Sequence, residues 1–139
     1  MEIGKEIVCV SHLLKRNVDR ITLEHGLNVS QSRILLYLHD HNGMAYQRKL
    51  EEVVHLRRSS ITSHLQKLEK DGFIERRNVD AKQKCLVLTK TGELKVKEIQ
   101  QIFEESERRI ELIMQDDGDK LMELVVKLKN VLIKEESDV

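Results

Sequence analysis

Basic and hydroxyl side chains crowd into one short stretch near the middle of the chain. Arg57 and Arg58 stand directly before Ser59 and Ser60, and the polar series continues through Thr62, Ser63, His64 and Lys67. Guanidinium groups donate in a planar fork that fits phosphate oxygens or a guanine edge, and short hydroxyl side chains let a helix approach bases closely. This combination indicates noncovalent recognition of a nucleic acid rather than bond-breaking chemistry.

The apolar residues among these side chains predict how the polar ones are presented. They recur at steps of four and three, as a helix over residues 59–71 requires: Ile61, Leu65 and Leu68, with Leu56 before them. This face would turn inward, so the polar side chains lie largely on the outer faces. Residues 47–56 predict a shorter helix just before, and two short helices with a brief connection are typical of a helix-turn-helix.

The first residues of this longer helix allow other roles. Either Ser59 or Ser60 could be its N-cap, since serine is among the preferred capping residues. Arg57 and Arg58 could be ordinary turn residues. Two adjacent guanidinium groups at a helix N-terminus nevertheless favour contact with phosphate or guanine.

A β-hairpin is predicted directly after these helices. Residues 73–77 and 85–89 have the composition of strands, and the polar stretch between them predicts the turn. Lys82 and Lys84 lie at or just past the tip, where a basic side chain can enter a minor groove, and Arg77 adds a positive charge to the first strand. The alternative is an ordinary polar turn. We expect Asp80 to orient a neighbouring basic side chain rather than to contact DNA, since phosphate repels a carboxylate.

Long amphipathic helices flank this central part. Apolar stripes predict one helix over residues 3–24 and a second that Ser30 caps and that ends near Asn42-Gly43. A long helix is predicted from Thr91. After a break at residues 115–119 comes a last helix, which Asp117 or Asp119 could cap. We expect a mainly α (α+β) fold. Residues 29–92 would form a winged helix-turn-helix, and residues 1–28 and 93–139 a helical dimerisation bundle, with packing onto the centre of a monomer as the alternative.

The charge is distributed unevenly, although 24 basic and 24 acidic side chains give the whole chain a net charge of zero. Residues 55–84 contain eight basic and four acidic side chains, a net charge of +4, whereas residues 93–139 have a net charge of −5. The positive charge coincides with the helix-turn-helix and the hairpin. That coincidence favours duplex DNA as the partner.

Three stretches together resemble the MarR family of winged helix-turn-helix transcription regulators. The most specific is Ser59 to Arg76, which is similar to the family's recognition helix and first wing strand. The second is Asp80-Ala81-Lys82-Gln83-Lys84 followed by Leu88-Thr89-Lys90-Thr91-Gly92, and the third is Gly26 to Gln31 at the entry to the second helix. The chain departs from the family pattern at Lys82 and His64, where Arg is frequent, and in having no Pro before Asp80.

The resemblance implies more than the residues alone indicate. It implies a homodimer that binds a palindromic operator, with one recognition helix in each major-groove half-site. It also implies repression that a small-molecule effector relieves, although no residue of this chain is assigned to an effector site. A regulator of this kind would work in the cytoplasm, on double-stranded DNA and without a cofactor.

Other classes of protein find less support in the sequence. We expect no enzyme, because the usual catalytic and phosphate-binding motifs are missing, and no membrane span or signal peptide. The resemblance also allows Cys9 to sense oxidants, but apart from His12 no neighbouring base favours a reactive thiol, so a small buried group is the preferred interpretation. Cys9 with His12, or His39 with His41, would supply only two ligands, so we expect no metal site. A winged helix used only for protein–protein contact is the remaining alternative.

Overall fold

The computed structural model describes residues 1–54, 56, 58–80 and 83–138. Two of the predicted DNA contacts, Arg57 and Lys82, lie outside the described residues. The chain divides into two compact units, Met1–Phe103 and the part that begins at Glu104. The predicted winged helix-turn-helix lies within the first unit.

Six α-helices and three strands are found in the described residues. In chain order they are α1 Ile3–Thr22, α2 Val29–Asp40, β1 Met44–Tyr46, α3 Gln47–Val53, α4 Arg58–Lys70, β2 Ile74–Asn78, β3 Lys84–Leu88, α5 Lys90–Met114 and α6 Gly118–Ser137. Short 3₁₀ turns, Leu23–His25 and Gln115–Asp117, follow α1 and α5. The mainly α prediction, with helices on both sides of a helix-turn-helix and a hairpin, is confirmed.

The start of α2 differs from the prediction. Ser30 lies inside the helix, and Asn28 is the N-cap residue: its Oδ1 accepts from the Gln31 backbone N–H at 2.8 Å, while the Gln31 Oε1 accepts from the Asn28 N–H at 3.1 Å. This is a reciprocal capping box, which satisfies two N–H groups at the helix start. The prediction of Ser30 as cap was wrong because the Asn-x-x-Gln pattern begins two residues earlier.

The sheet contains a strand that was not predicted. Its order is β1-β3-β2 with both pairings antiparallel, and β1 pairs Met44 with Val87 and Tyr46 with Cys85. The β2–β3 hairpin was predicted and runs from the Ile74–Leu88 pair to the Asn78–Lys84 pair. The base of the wing is therefore bonded to the segment that leads directly into α3.

Thr89 and Gly92 fix the start of α5 against the turn after α4. The Thr89 Oγ1 donates to the Gly72 carbonyl at 2.6 Å and accepts from the Gly92 N–H at 3.0 Å. A Cβ at Gly92 would lie 2.2 Å from the Phe73 carbonyl oxygen, so only glycine allows this close approach. The Leu-Thr and Gly of the wing signature thus have a packing role.

The core of the first unit lies between the helix-turn-helix, the sheet and the first part of α5. Its fully buried members include Leu35, Leu50, Leu65, Leu86 and Ile99. Helix α4 contributes Ile61, Leu65 and Leu68, as predicted, whereas Leu56 is half-buried. The inward face of α4 therefore sets which of its side chains remain outside.

The second unit contains the end of α5, the second 3₁₀ turn and α6. Asp117 occupies the N-cap position of α6, but its backbone is helical and its carboxylate caps no N–H among the described residues. Asp119 lies within the helix. The predicted aspartate cap was therefore wrong. Helix α6 has no buried residue among those described, and its apolar side chains are exposed in the single chain.

Candidate nucleic-acid interface

Helix α4, which the sequence predicts to be the recognition helix, presents its N-terminal arginine to solvent. The Arg58 side chain is 86% exposed, and its only ion pair in the described residues is with Glu51 of α3, at 3.7 Å between Nε and Oε1. A pair of this length is weak, since water screens it on the exposed Arg58 side. The guanidinium can therefore exchange Glu51 for a phosphate with little loss of free energy.

The hydroxyl side chains of α4 take several positions. The helix begins at Arg58, so Ser59 and Ser60 lie within its first turn and neither is the N-cap. Ser59 and Ser63 are exposed, and Ser60 and Thr62 are half-buried. The Thr62 Oγ1 donates to the Arg58 carbonyl at 3.1 Å. Ser59 and Ser63 are thus the most accessible hydroxyls of this helix.

The helical pattern predicted His64 on an outer face of α4, but the structure places it only partly there. Its ring is half-buried, and its Nδ1 lies 3.3 Å from the Gln31 Nε2 at the start of α2. Burial, together with the positive charge of Lys15, lowers the pKa of His64. Both effects favour the neutral imidazole.

Lys67 is engaged with the protein itself. Its ammonium donates to the Asp71 Oδ2 at 2.7 Å and to the Gly26 carbonyl at 2.9 Å. Gly26 has φ +79° and follows the 3₁₀ turn after α1. Lys67 therefore links the recognition helix to the loop that leaves α1, and a DNA contact by this residue would require it to exchange one of these partners.

The wing carries the remaining predicted contacts that the structure describes. Arg77 and Lys84 are exposed, and the Arg77 guanidinium lies 3.0 Å from the Glu75 carboxylate. The Asp80 Oδ1 accepts from the Gln83 N–H at 2.9 Å, so this carboxylate shapes the tip of the hairpin. Its hydrogen bond in the turn is thus to the backbone, and its predicted effect on a neighbouring basic side chain stays a prediction.

A second arginine belongs to the structure of the wing rather than to its surface. Arg76 donates to Glu69 of α4 at 3.1 Å and is only one-fifth exposed. This hydrogen bond lowers the pKa of Glu69. Arg76 therefore joins the wing to the recognition helix and is not an added DNA contact.

Sequence inspection missed two basic residues at this surface. A cavity of about 580 Å³ lies between α3, the start of α4 and the wing, and the cationic side chains that line it among the described residues are Arg48, Lys49, Arg58 and Lys84. Glu51, Glu52 and Asp80 line it as well, so the described lining has one more positive than negative charge. The adjacent Arg48-Lys49 pair was the available signal in the sequence, but these two residues lie before residues 55–84, to which the net charge of +4 was assigned. We call this surface the α3–wing groove.

The other histidines and Cys9 lie elsewhere. His39 and His25 pair with two glutamates of α5, Glu93 and Glu98, at 3.1 and 3.2 Å. His41 bonds the Tyr37 carbonyl at the end of α2. Cys9 and His12 are both exposed on α1 in the single chain, so Cys9 is not part of the core of the first unit. Within the described residues, no three potential metal ligands converge.

A search of curated protein sequences finds no match to this chain. A family model, described as MarR family, matches residues 25–84. Among the described helices, none has the length and apolarity that crossing a bilayer needs.

Solved structures share the fold along the whole chain. A MepR–DNA complex from S. aureus is 21% identical, with a TM-score of 0.85, and the match covers 95% of this chain and 98% of that one. A crystal structure of MarR is 20% identical at the same TM-score, with 100% and 96% covered. A MarR-like regulator from Bacillus cereus is 24% identical with a TM-score of 0.82, and 94% and 96% are covered.

These likenesses differ in what they establish. The sequence match extends across α2, the helix-turn-helix and most of the wing, where the resemblance was strongest. The structural likeness extends the fold to the flanking helices. Taken together, they show a winged helix-turn-helix fold in which residues 25–84 match the MarR family.

Proposed function

We propose that this regulator binds a palindromic operator in double-stranded DNA as a homodimer, represses transcription from it in the cytoplasm, and releases it when a small-molecule effector binds. The observation that carries the DNA-binding part is the cationic surface formed by α3, the start of α4 and the wing. The match of residues 25–84 to the MarR family supports a regulator rather than an enzyme.

The geometry supports a division of labour on the DNA. Helix α4 enters the major groove, where Ser63 and His64 approach base edges and Arg58 contacts the backbone. The wing places Lys84, with Lys82 near the tip, against the minor groove. The α3–wing groove adds Arg48 and Lys49 as phosphate contacts between these two points. The S. aureus MepR–DNA complex, which has a similar fold, supports DNA as the partner.

The exposed apolar surface of the single chain supports the homodimer. Helix α1 exposes apolar side chains along its length, among them Ile7, Val10 and Leu13, and α6 exposes Leu124, Leu128 and Val131. Contiguous apolar faces of this kind mark association surfaces. In our proposal, residues 1–28 and 93–139 form the dimerisation region and residues 29–92 bind DNA. A twofold axis through the dimerisation region presents two copies of α4, which requires a palindrome.

Repression and its relief by an effector rest on the family alone. They are tested after DNA binding, by transcription in vitro from the operator-bearing promoter with and without candidate effectors. Activation on addition of the protein would contradict the repressor assignment. Unchanged operator affinity across a panel of small aromatic and acidic molecules would contradict the effector assignment.

The DNA proposal is tested by fluorescence anisotropy with a labelled duplex from the region upstream of the protein's own gene. We expect saturable binding whose affinity falls steeply with salt, with a log–log slope of about −0.9 per phosphate neutralised. A shuffled duplex of equal length is the control for operator preference. Binding that does not depend on salt, or no binding at micromolar protein, would contradict the proposal and favour a protein–protein module.

A further inference from the structure

The orientation of the Gln31 side chain is fixed by the capping box of α2. Its Oε1 accepts the Asn28 N–H, and the Gln31 N–H in turn donates to the Asn28 side chain. Gln31 is only 6% exposed, so water does not offer a competing arrangement. Because the carbonyl end of the amide is committed to the backbone, the amide nitrogen must be the end that faces α4.

This amide nitrogen determines the protonation of His64. The Gln31 Nε2 lies 3.3 Å from the His64 Nδ1, and an amide nitrogen can only donate. Nδ1 must therefore accept, which leaves the ring proton on Nε2 and the imidazole neutral. The charged group that acts on this ring from α1 is Lys15, whose positive charge disfavours the imidazolium. On α4 itself, the nearby Lys67 ammonium is engaged with Gly26 and Asp71.

We propose that Gln31 is a positioning residue for DNA recognition, which holds His64 as a neutral hydrogen-bond donor through its Nε2–H. The proposal rests on the proposed DNA-binding function. The two ring nitrogens point in divergent directions, so Nε2 faces away from Gln31. Among the described residues Nε2 has no hydrogen-bond partner. It can therefore donate to an acceptor outside the protein.

A fixed neutral donor has a definite preference among base edges. In the major groove, purine N7, guanine O6 and thymine O4 accept hydrogen bonds, whereas the cytosine N4 amino group only donates. His64 is thus expected to select against cytosine at the base that it faces. An arginine at this position would instead grip guanine with two donors and a full charge. The capping box therefore contributes to operator choice although it lies outside the recognition helix.

The substitution Gln31→Glu separates this role from helix capping. Glutamate retains the carboxyl oxygen that accepts the Asn28 N–H, and glutamate is as common as glutamine at this capping position. It replaces the donor amide with a second acceptor oxygen, which favours a proton on the His64 Nδ1. The structure of α2 is kept while the tautomer of the neutral His64 ring is inverted.

Long-range ¹H–¹⁵N spectra of the histidine rings test the first half of the proposal. In the wild-type protein, we expect the His64 ring to show an unprotonated Nδ1 and a protonated Nε2, and Gln31→Glu to move the proton to Nδ1 with little change in Tm. His12, which is exposed on α1, serves as the internal control and should not change. A wild-type His64 with a protonated Nδ1 would overturn the proposal.

Operator affinity tests the second half. We expect Gln31→Glu to lower operator affinity about tenfold, the effect of one lost hydrogen bond in a desolvated site. In a His64→Ala background the same change should have no further effect. If wild-type protein binds the operator and Gln31→Glu binds it equally well, the inference is wrong and the proposed function stands. If the wild-type protein binds no DNA, both the proposed function and the DNA role of Gln31 fail, while the spectra still decide the tautomer.

Discussion

Two kinds of side chain contribute to the α4 surface, and they should respond differently to mutation. The Arg58 guanidinium is almost fully exposed and only weakly paired, as a phosphate contact requires. Ser63 is exposed on the same helix, and the half-buried His64 ring presents one nitrogen to a neighbouring helix. In our proposal, Arg58 contributes affinity that does not depend on the DNA sequence, and Ser63 and His64 discriminate between bases.

We expect Arg58→Ala or Arg48→Ala to weaken binding to the operator and to a shuffled duplex by similar factors. Each change removes about one phosphate contact, so the magnitude of the log–log salt slope should fall by about 1. Ser63→Ala should instead alter the ratio of the two affinities. Anisotropy titrations at several salt concentrations measure both effects.

The exposed Arg108 of α5 offers a matched control for these substitutions. Arg108→Ala removes the same charge from the second unit and should leave the salt slope unchanged. If Arg58→Ala behaved like Arg108→Ala, the recognition helix would be placed wrongly.

At the scale of elements, the sequence predicted those that its local pattern defines. The apolar spacing of α1, α4 and α5 and the turns at Gly26 and Gly72 are local signals, and the helices lie where they were expected. Strand β1 was missed because three residues are too few to show an alternation of apolar and polar side chains, and because its partner β3 lies far along the chain.

The sequence likewise predicts those parts of the candidate site that a local pattern defines, and not those that depend on contacts between distant segments. The polar face of α4 follows from its own apolar spacing. Arg48 and Lys49 belong to the α3–wing groove because the sheet brings the wing beside α3. The partner of His64 depends on the packing of α2 against α4, which no local pattern reports.

We expect Gly92→Ala to destabilise the protein by about 1–3 kcal/mol, the usual cost of overpacking a tight contact. The new methyl group would meet the Phe73 carbonyl at 2.2 Å and the Leu88 side chain at 2.7 Å, so the start of α5 must move away from the wing. The free energy of unfolding, measured in urea at a fixed protein concentration, gives the effect.

A second glycine provides the comparison for this substitution. Gly118 starts α6 with a helical backbone, and a Cβ there meets no atom within 4 Å. Gly118→Ala should therefore be neutral or stabilising by up to about 1 kcal/mol. Equal destabilisation by the two substitutions would show that the close approach at Gly92 does not matter.

At the scale of the whole molecule, the exposed apolar faces predict that the single chain is not the stable species. Helix α6 exposes leucine and valine side chains along one stripe, and Leu128 at its centre is 41% exposed. We expect Leu128→Asp to shift the protein from dimer to monomer, because a carboxylate would have to be desolvated in the interface. Sedimentation velocity at micromolar concentration distinguishes the two species.

Asn130 lies on the polar side of the same helix, half a turn away from the apolar stripe. Asn130→Asp adds the same charge and should leave the dimer intact. A wild-type protein that sediments as a monomer, or a Leu128→Asp variant that sediments as a dimer, would contradict the proposed interface.

The three-stranded sheet also constrains the order in which the molecule can fold. The β2–β3 hairpin closes a short loop, whereas β1 and β3 pair residues about 40 positions apart, with both helices of the helix-turn-helix between them. Closing the longer loop costs more chain entropy, and that cost is repaid only when the intervening helices already pack. On the ribosome β1 emerges well before β3. The segment that leads into α3 therefore acquires its hydrogen bonds late, after the helices that it will help to position on DNA.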